Sequence, residues 1–201
     1  LDITPQTLTS DFSPNFSTVT TTTDVTIVDP NISNVTLYDS VFFNTPVSIG
    51  GVILSGLYAI TTITGTTSYK ITLASAAPNT EANAGTVPVF TTTSGSALVS
   101  VLLSNHGLVV GSTIVFPIPT TGNGVTISGH YTVVTRTDAN NFIITALNQA
   151  SASSSFTMNA GLAELVYYIN LGPPAVGSGY GLGGYGLGGF GTGTTTSSQV
   201  G

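Results

Sequence analysis

Apolar and hydroxyl-bearing residues follow one another in short runs along this chain. Runs of Val, Ile, Thr, Tyr and Phe are separated every eight to twelve residues by Gly, Pro, Asn or Asp. Large apolar residues alternate with threonine in residues 58–63 and 131–134, as in strands with one buried face. Helical spacing does not persist, so the pattern predicts an all-β fold of antiparallel strands in small barrels or sandwiches. The predicted strands cover residues 25–28, 37–43, 56–63, 69–74, 87–91, 98–103, 113–116, 129–135, 142–146 and 163–169.

An internal repeat organises these predicted strands. A shift of 73 residues lays residues 41–74 over residues 114–147, and 11 of the 34 positions are then identical. The repeat predicts two β modules, residues 24–91 and residues 97–170. Aromatic residues at matching strand positions are predicted to anchor the two cores: Phe43, Tyr58 and Tyr69 in the first module, and Phe116, Tyr131 and Phe142 in the second.

Two glycines recur at the same point of the repeat. Gly56 and Gly129 each precede a core tyrosine by two positions. A glycine inside a strand pattern indicates a β-bulge or a close approach of another backbone segment. An ordinary loop glycine is the alternative interpretation.

The charge of the chain is as unusual as its pattern. Only 5% of the residues are charged, whereas 41% are hydrophobic. Solubility normally depends on mixed surface charge, so we expect copies of this chain or other proteins to cover much of the exterior. The net charge is −6, and Lys70 and Arg136 are the two cations, so no specific nucleic-acid binding is predicted. Because cysteine is absent, disulfides and a thiol nucleophile are excluded.

Targeting signals are also missing from the sequence pattern. No apolar run is long enough for a membrane-spanning helix, and no secretory signal pattern is present, so no membrane span is predicted. The chain begins with Leu1 instead of methionine. We therefore expect either a processed product or a piece of a longer chain.

No catalytic constellation is recognisable. The eight carboxylates are scattered, mostly at positions typical of turns, and no pair has the setting of an acid/base couple. The two histidines, His106 and His130, could in principle bind a metal together with Asp138, but positions in turns or on a strand surface are the favoured interpretation. The sequence therefore predicts neither an enzyme nor a cofactor or metal site.

One motif in the second module resembles a known family. NHGLVVGSTIVF (105–116) is followed by GVTISGHYTVVTRTDANNFIIT (124–145). These segments resemble a small β module that phage structural proteins carry in tandem, which is named for its likeness to the first catalytic cysteine half-domain of ubiquitin-activating enzymes. Its usual pattern is His-Gly-Leu, a Gly-Asp-x-Val-x-Phe strand and Gly-x-Tyr-x-Val, with Ser112 here in place of the aspartate. The first module keeps the strand at residues 38–43 but lacks the His-Gly. The resemblance implies a scaffold of a phage particle without ubiquitin chemistry.

The C-terminal segment differs from the rest of the chain. GSGYGLGGYGLGGFGTG (177–193) repeats a Gly-Leu-Gly-Gly-aromatic unit every five residues. Its glycine content predicts a flexible arm or linker over residues 171–201, because glycine loses much backbone entropy when it is ordered. Large apolar residues recur regularly in this segment, at Tyr180, Leu182, Tyr185, Leu187 and Phe190. Their spacing favours a strap that becomes ordered on partner proteins, with a plain flexible linker as the alternative. The segment resembles glycine-aromatic stretches of podovirus tail proteins, which precede a propeller-like domain of the tail nozzle.

These expectations combine into one functional hypothesis. The chain is predicted to be a non-enzymatic virion protein of a tailed phage, with an extended N-terminal arm at residues 1–23, two β modules and the C-terminal arm. It would form a homo-oligomeric ring or tube segment, such as a hexamer, in the tail nozzle or hub and would contact other virion proteins. The alternatives are a capsid decoration protein, head fibre or adaptor, or a carbohydrate-binding, adhesin-like module.

Overall fold

The protein is an all-β chain of antiparallel strands, as the residue pattern predicts. The computed structural model describes residues 3–7 and 14–170. The strands are β1 Ile3–Thr7, β2 Asn15–Thr18, β3 Asp24–Val28, β4 Ser40–Ile49, β5 Val52–Gly65, β6 Ser68–Thr72, β7 Glu81–Ala84, β8 Val89–Thr92, β9 Leu98–Leu102, β10 Thr113–Gly122, β11 Val125–Thr132, β12 Thr135–Arg136, β13 Asn141–Thr145, β14 Ser155–Thr157 and β15 Leu165–Asn170, with a short 3-10 turn at Met158–Gly161. The predicted all-β fold class is therefore confirmed.

The first structural unit consists of β1 to β7 and β15. Its strands pair in the order β1-β15-β4-β5-β6-β3-β2-β7. Just after β7, Thr86 exchanges two main-chain hydrogen bonds with Ser48 of β4, at 2.9 and 3.0 Å. This bridge joins the segment after β7 back to β4, so that β4, β5, β6, β3, β2 and β7 close into a barrel. β15 pairs with the first residues of β4, and β1 pairs with β15, so these two strands extend the sheet beyond the barrel.

The second unit, β8 to β14, repeats this strand order. β10 pairs with β11, while β12, β13, β9, β8 and β14 form a five-stranded sheet in that order. Only two residues separate the end of β11 from the start of β12, so the two strands together correspond to the long β5 of the first unit. Phe156 of β14 packs on Gly122 of β10, which brings the last strand of the sheet back beside the first hairpin.

Strand positions follow the sequence repeat closely. β4 and β6 begin 73 residues before β10 and β13, and β2 begins 74 residues before β8. The same aromatic contact lies in both cores, because Phe16 packs on Phe43 with ring centroids 5.8 Å apart and Phe90 packs on Phe116 at 5.3 Å. The six predicted core residues all lie in or against these cores: Phe43, Tyr69, Phe116 and Phe142 are fully buried, and Tyr58 and Tyr131 are partly buried at the periphery.

The two cores do not divide the chain where the repeat places the module boundaries. β8 belongs to the second unit, although the repeat predicts residues 24–91 as the first module. β2 belongs to the first barrel instead of the predicted N-terminal arm. β15 is the largest difference, since residues 163–169 were assigned to the second module and pack in the first core. The second unit is thus inserted between β7 and β15 of the first, because main-chain pairing with β4 decides where the last strand lies.

A buried polar cluster holds β15 in place. Tyr167 of β15 donates a hydrogen bond to Asp29 Oδ2 at 2.9 Å, and the Tyr69 hydroxyl lies 2.8 Å from that of Tyr167. Since the Tyr167 proton is directed to Asp29, Tyr69 is the donor in the second bond. All three residues are at most 2% exposed, and Asp29 Oδ1 also accepts from the side chain and main chain of Asn31. The cluster therefore satisfies a carboxylate that would be costly to bury alone.

Both repeated glycines adopt a left-handed backbone conformation. The φ angles of Gly56 and Gly129 are +80° and +81°. In each hairpin the strand register shifts immediately beside the glycine, as expected for a bulge. Apart from its chain neighbours, no described residue has an atom within 4 Å of a Cβ placed on either glycine, so a close approach of another described backbone segment is wrong and the backbone angle favours glycine.

The polar cluster predicts unequal effects for two tyrosine substitutions. Tyr167→Phe should lower the free energy of unfolding by about 2–3 kcal/mol, because it removes a hydrogen bond to a buried carboxylate and the acceptor of the Tyr69 hydroxyl. Tyr69→Phe should cost about 1 kcal/mol, since the bond to Asp29 remains and phenylalanine occupies the equivalent position, Phe142, in the second unit. Urea unfolding of both variants measures this difference, and equal losses would contradict the proposed role of Tyr167.

The same cluster predicts loss of stability in alkali. Burial is the main cause that raises the pKa values of Tyr69 and Tyr167 above their ordinary range. The unfolded chain releases these protons near pH 10, whereas the folded protein retains them, so their contribution is complete below about pH 10 and is lost as the pH rises further. Each retained proton should steepen the loss by about 1.4 kcal/mol per pH unit above pH 10. Urea unfolding between pH 9 and pH 11.5, in steps of about half a unit, should show a shallower slope for Tyr69→Phe.

Candidate assembly interface

Two equivalent turns expose apolar side chains at the start of the first strand of each repeated hairpin. Leu37 and Tyr38 precede β4 and are 55% and 77% exposed, while Val109 and Val110 precede β10 and are 58% and 62% exposed. Residues 36–39 and 109–112 are called the paired apolar turns below. The predicted strand 37–43 begins only at Ser40, so Leu37 and Tyr38 lie in a turn.

Equivalent hydrogen bonds fix both turns. Asp39 Oδ2 accepts from the Thr36 main-chain N–H at 2.6 Å and from the Thr36 hydroxyl at 3.0 Å. At the matching point of the second unit, Ser112 Oγ accepts from the Val109 N–H at 3.0 Å. Serine and aspartate are interchangeable here because either side chain can supply the acceptor that closes the turn. The exposed apolar residues are therefore held on rigid turns, each next to a barrel strand.

The surrounding surface has little charge to repel a partner. In the described part of the chain one ion pair is formed, between Lys70 on β6 and Asp24 on β3 at 3.2 Å. Apolar side chains are exposed elsewhere too, including Leu57 at 61% and Leu147 at 91%. A surface of this kind favours association through apolar and main-chain contacts over long-range electrostatic attraction.

A cleft of about 360 Å³ lies between the two units. One wall is the β4–β5 hairpin of the first unit, and the opposite wall combines the loop at 106–108 with the start of β10. Ser48 Oγ donates to the Asn105 carbonyl at 3.4 Å, and Gly107 stands so close to the Gly51 carbonyl that an added Cβ would approach it to 2.6 Å. The lining residues of this inter-unit cleft are Gly51, Val52, Ile53, Ser55, His106, Gly107, Leu108, Thr113, Ile114 and Val115.

His106 stabilises the loop at the edge of the cleft. Its side chain is 2% exposed, its Nδ1 atom accepts the Leu108 N–H at 2.9 Å, and its ring packs edge-on against Phe142 at 4.9 Å. Burial, and secondarily the positive charge of Arg136, lower the pKa of His106. Since Nδ1 is an acceptor, the neutral ring carries its proton on Nε2, which has no hydrogen-bond partner among the described residues. His106 thus acts as a packing residue at the junction of the units.

The residues considered for metal binding do not form a site. Asp138 lies in an exposed turn, where the N–H of Asn140, followed by the side chain of Asn141, lowers the pKa of its carboxyl. His130 lies on the outer face of β11. Within residues 3–7 and 14–170, no group of three or more His, Cys, Asp or Glu side chains could hold a metal ion. No helix in the same part of the chain is long and apolar enough to cross a membrane.

The predicted assembly residues and the exposed turns differ in how the sequence signals them. Tyr180, Leu182, Tyr185, Leu187 and Phe190 lie outside the described residues. The paired apolar turns were not singled out from the sequence, because an isolated apolar residue before a strand resembles the strand itself. The feature of the sequence that relates the two turns is their equivalent position in the repeat, 73 residues apart.

Comparisons with known proteins do not assign the chain to a family: no family model, no curated protein and no solved structure matches it. The candidate interface is therefore defined by its own geometry, with two apolar turns fixed by hydrogen bonds, a weakly charged surface and a cleft between the two units.

Glycine substitutions should distinguish the inter-unit contact from backbone strain. Gly107→Ala should destabilise the protein by about 2–3 kcal/mol, because a methyl group adds a clash with the Gly51 carbonyl to the cost of a positive φ. Gly129→Ala has a similar φ and open space around its Cβ, so it should cost about 1 kcal/mol. Thermal unfolding of the two variants tests this expectation. Equal losses would show that the Gly107 contact contributes nothing.

Proposed function

We propose that this protein is a non-enzymatic structural subunit of a tailed-phage particle, which assembles with copies of itself into a ring or tube segment. The observation that carries the proposal is the pair of equivalent, rigid, exposed apolar turns on a surface with very few charges. Such turns bury apolar area only when another protein covers them. The repeat presents them twice on one chain, which suits a subunit that contacts neighbours repeatedly.

The architecture supports a scaffold role. Each unit has a core of buried aliphatic and aromatic residues and strands joined by main-chain hydrogen bonds, which favours a rigid unit. Subunits that form a ring need a fixed angle between successive contacts, which rigid barrels and a packed junction provide. The net charge of −6 also suits a wall that does not retain DNA.

Placement within a phage follows from the resemblance of the second unit to the tandem β module of phage structural proteins. The motif residues have structural roles here, since His106 and Gly107 pack at the inter-unit junction and Ser112 closes a turn. The glycine-aromatic segment at 177–193 favours a tail nozzle or hub. A capsid decoration protein, head fibre or adaptor is the alternative location.

A carbohydrate-binding module is less well supported. Sugar recognition by stacking requires exposed aromatic rings grouped on one face. In residues 14–170, Tyr38 is the only aromatic residue in the exposed class, and the other aromatic residues of this range are buried or half-buried. The exposed side chains of the paired apolar turns therefore favour self-association over sugar binding.

Native mass spectrometry tests the proposed assembly. The full chain should form a closed oligomer, sixfold if the protein belongs to a nozzle, and Tyr38→Ser combined with Val110→Ser should shift it toward monomer by at least about tenfold in dissociation constant. The matched control, Thr62→Ser and Thr132→Ser on exposed strand positions, should leave the oligomer unchanged. A monomer of 20.3 kDa for the unmodified chain at every concentration would contradict the proposal.

A further inference from the structure

The two units differ at one strand edge. In the first unit, β15 pairs with residues 40–43 of β4, on the side of β4 that faces away from β5. The pairing is extended by the Asn44 N–H, which donates to the Glu164 carbonyl at 3.0 Å. In the second unit, β10 pairs with β11 only, and no described strand pairs with the opposite edge of residues 113–116, although β4 of the first unit also contacts β10.

Backbone direction identifies the free groups on that edge. The Ser112 carbonyl accepts from Val133 N–H at 2.9 Å, so Ser112 faces the strand formed by β11 and β12. Backbone groups alternate in direction along a strand, so the N–H and C=O of Thr113 and Val115 point away from β11. Among the described residues, no main-chain hydrogen bond to Thr113 or Val115 is found outside the β10–β11 pair. Pro117, at the position equivalent to Asn44, lacks an N–H and ends the edge.

The free edge opens into the inter-unit cleft. Thr113, Ile114 and Val115 line that cleft together with the β4–β5 hairpin and the loop at 106–108. None of the lining residues is charged at neutral pH, because the only titratable one is His106, whose pKa is lowered. The site is therefore suited to an uncharged extended segment that supplies main-chain donors and acceptors.

We infer that one glycine-aromatic unit of residues 177–193 from a neighbouring copy adds to β10 as an extra strand at residues 113–116. The inference rests on the proposed assembly and names its acceptor site. The free edge is four residues long, and the repeating unit of the segment is five residues long, so one unit is long enough to cover the edge. In an extended strand, residues two apart, such as Tyr180 and Leu182, would lie on one face with a glycine between them. Residues 171–201 contain no charged side chain, as the uncharged cleft requires.

A neighbouring copy is the source because the edge continues directly into an exposed apolar turn. Val109 and Val110 lie three to four residues before Thr113, so a subunit that covers this turn is also positioned to place its own arm on β10. The same contact buries the apolar turn and pairs the free edge, which is the arrangement expected of a head-to-tail assembly.

Disulfide trapping in the full chain tests the inference, since the native chain contains no cysteine. An isotopically labelled Thr113→Cys chain is mixed with an unlabelled Tyr185→Cys chain and oxidised gently, and the linked peptides are identified by mass spectrometry. The control carries Thr62→Cys, an exposed β5 position about 30 Å along the strand from Ile53 at 3.3 Å per residue. Docking should give at least about tenfold more labelled-to-unlabelled disulfide with Thr113→Cys than with Thr62→Cys.

A second substitution examines the main-chain contact itself. Val115→Pro removes an outward N–H without affecting the bonds to β11, and should lower the Thr113 crosslink about tenfold. Val115→Ala keeps that N–H and should retain the crosslink. Equal crosslinking at positions 113 and 62 would overturn the inference. A chain that carries both Thr113→Cys and Tyr185→Cys, mixed as labelled and unlabelled copies, adds a second criterion: disulfides confined to single chains would also overturn it. Neither comparison depends on the folding of Val115→Pro.

Native mass spectrometry of the same samples separates this inference from the proposed function. A closed oligomer without the Thr113 crosslink would overturn the acceptor site and leave the assembly standing. A monomer without the crosslink would overturn both. The crosslink between copies that do not close into a ring would support the site and contradict the ring.

Discussion

The structure depends on the antiparallel pairing of β15 with β4. Through this pairing the chain returns to the first barrel after building the second, so the two ends of the inserted unit are tied to one core. Main-chain hydrogen bonds define the register, and the buried bond from Tyr167 to Asp29 stabilises it. Asp29 is only 2% exposed, so displacement of β15 would leave its Oδ2 atom buried without the Tyr167 hydroxyl, while the two bonds from Asn31 to Oδ1 would remain.

The two units resemble each other more closely in their cores than in the polar contacts around them. The contact between Phe16 and Phe43 recurs as that between Phe90 and Phe116, and both hairpins keep a left-handed glycine. At the other end of the core, Tyr69 donates to Tyr167, whereas the equivalent Phe142 packs against His106. The two cores are thus packed in the same way, whereas their polar contacts differ because a different additional segment covers each core.

The proposed function and the further inference concern this same difference between the units. The first unit has its outer β4 edge covered by its own chain, while the second presents the equivalent edge beside an apolar turn. In a surface with few charges, uncovered main-chain groups and apolar residues are the features that can hold a partner firmly. An assembling subunit would use both together.

Much of the fold could be predicted from the order of residues alone. Alternation of apolar residues with threonine predicts the strands, and the 73-residue repeat predicts paired cores around Phe43 and Phe116, because both signals are local and periodic. The short β2, β7 and β14 were not predicted, since runs of three or four residues with few apolar side chains carry little periodic signal. The exposure of Leu37 and Tyr38 was missed for a related reason, because composition does not show which apolar residue faces the core.

The sequence by itself determined the all-β class, the repeat and the scarcity of charge. Only the tertiary structure decided that β15 belongs to the first barrel, that Asp29 is satisfied by Tyr167, and that the edge at Thr113–Val115 is free. These features depend on contacts between residues far apart in the chain, such as the 138 positions that separate Asp29 from Tyr167. Periodicity describes which face of a strand is apolar, but the pairing partner of a strand is selected by three-dimensional packing and main-chain hydrogen bonds.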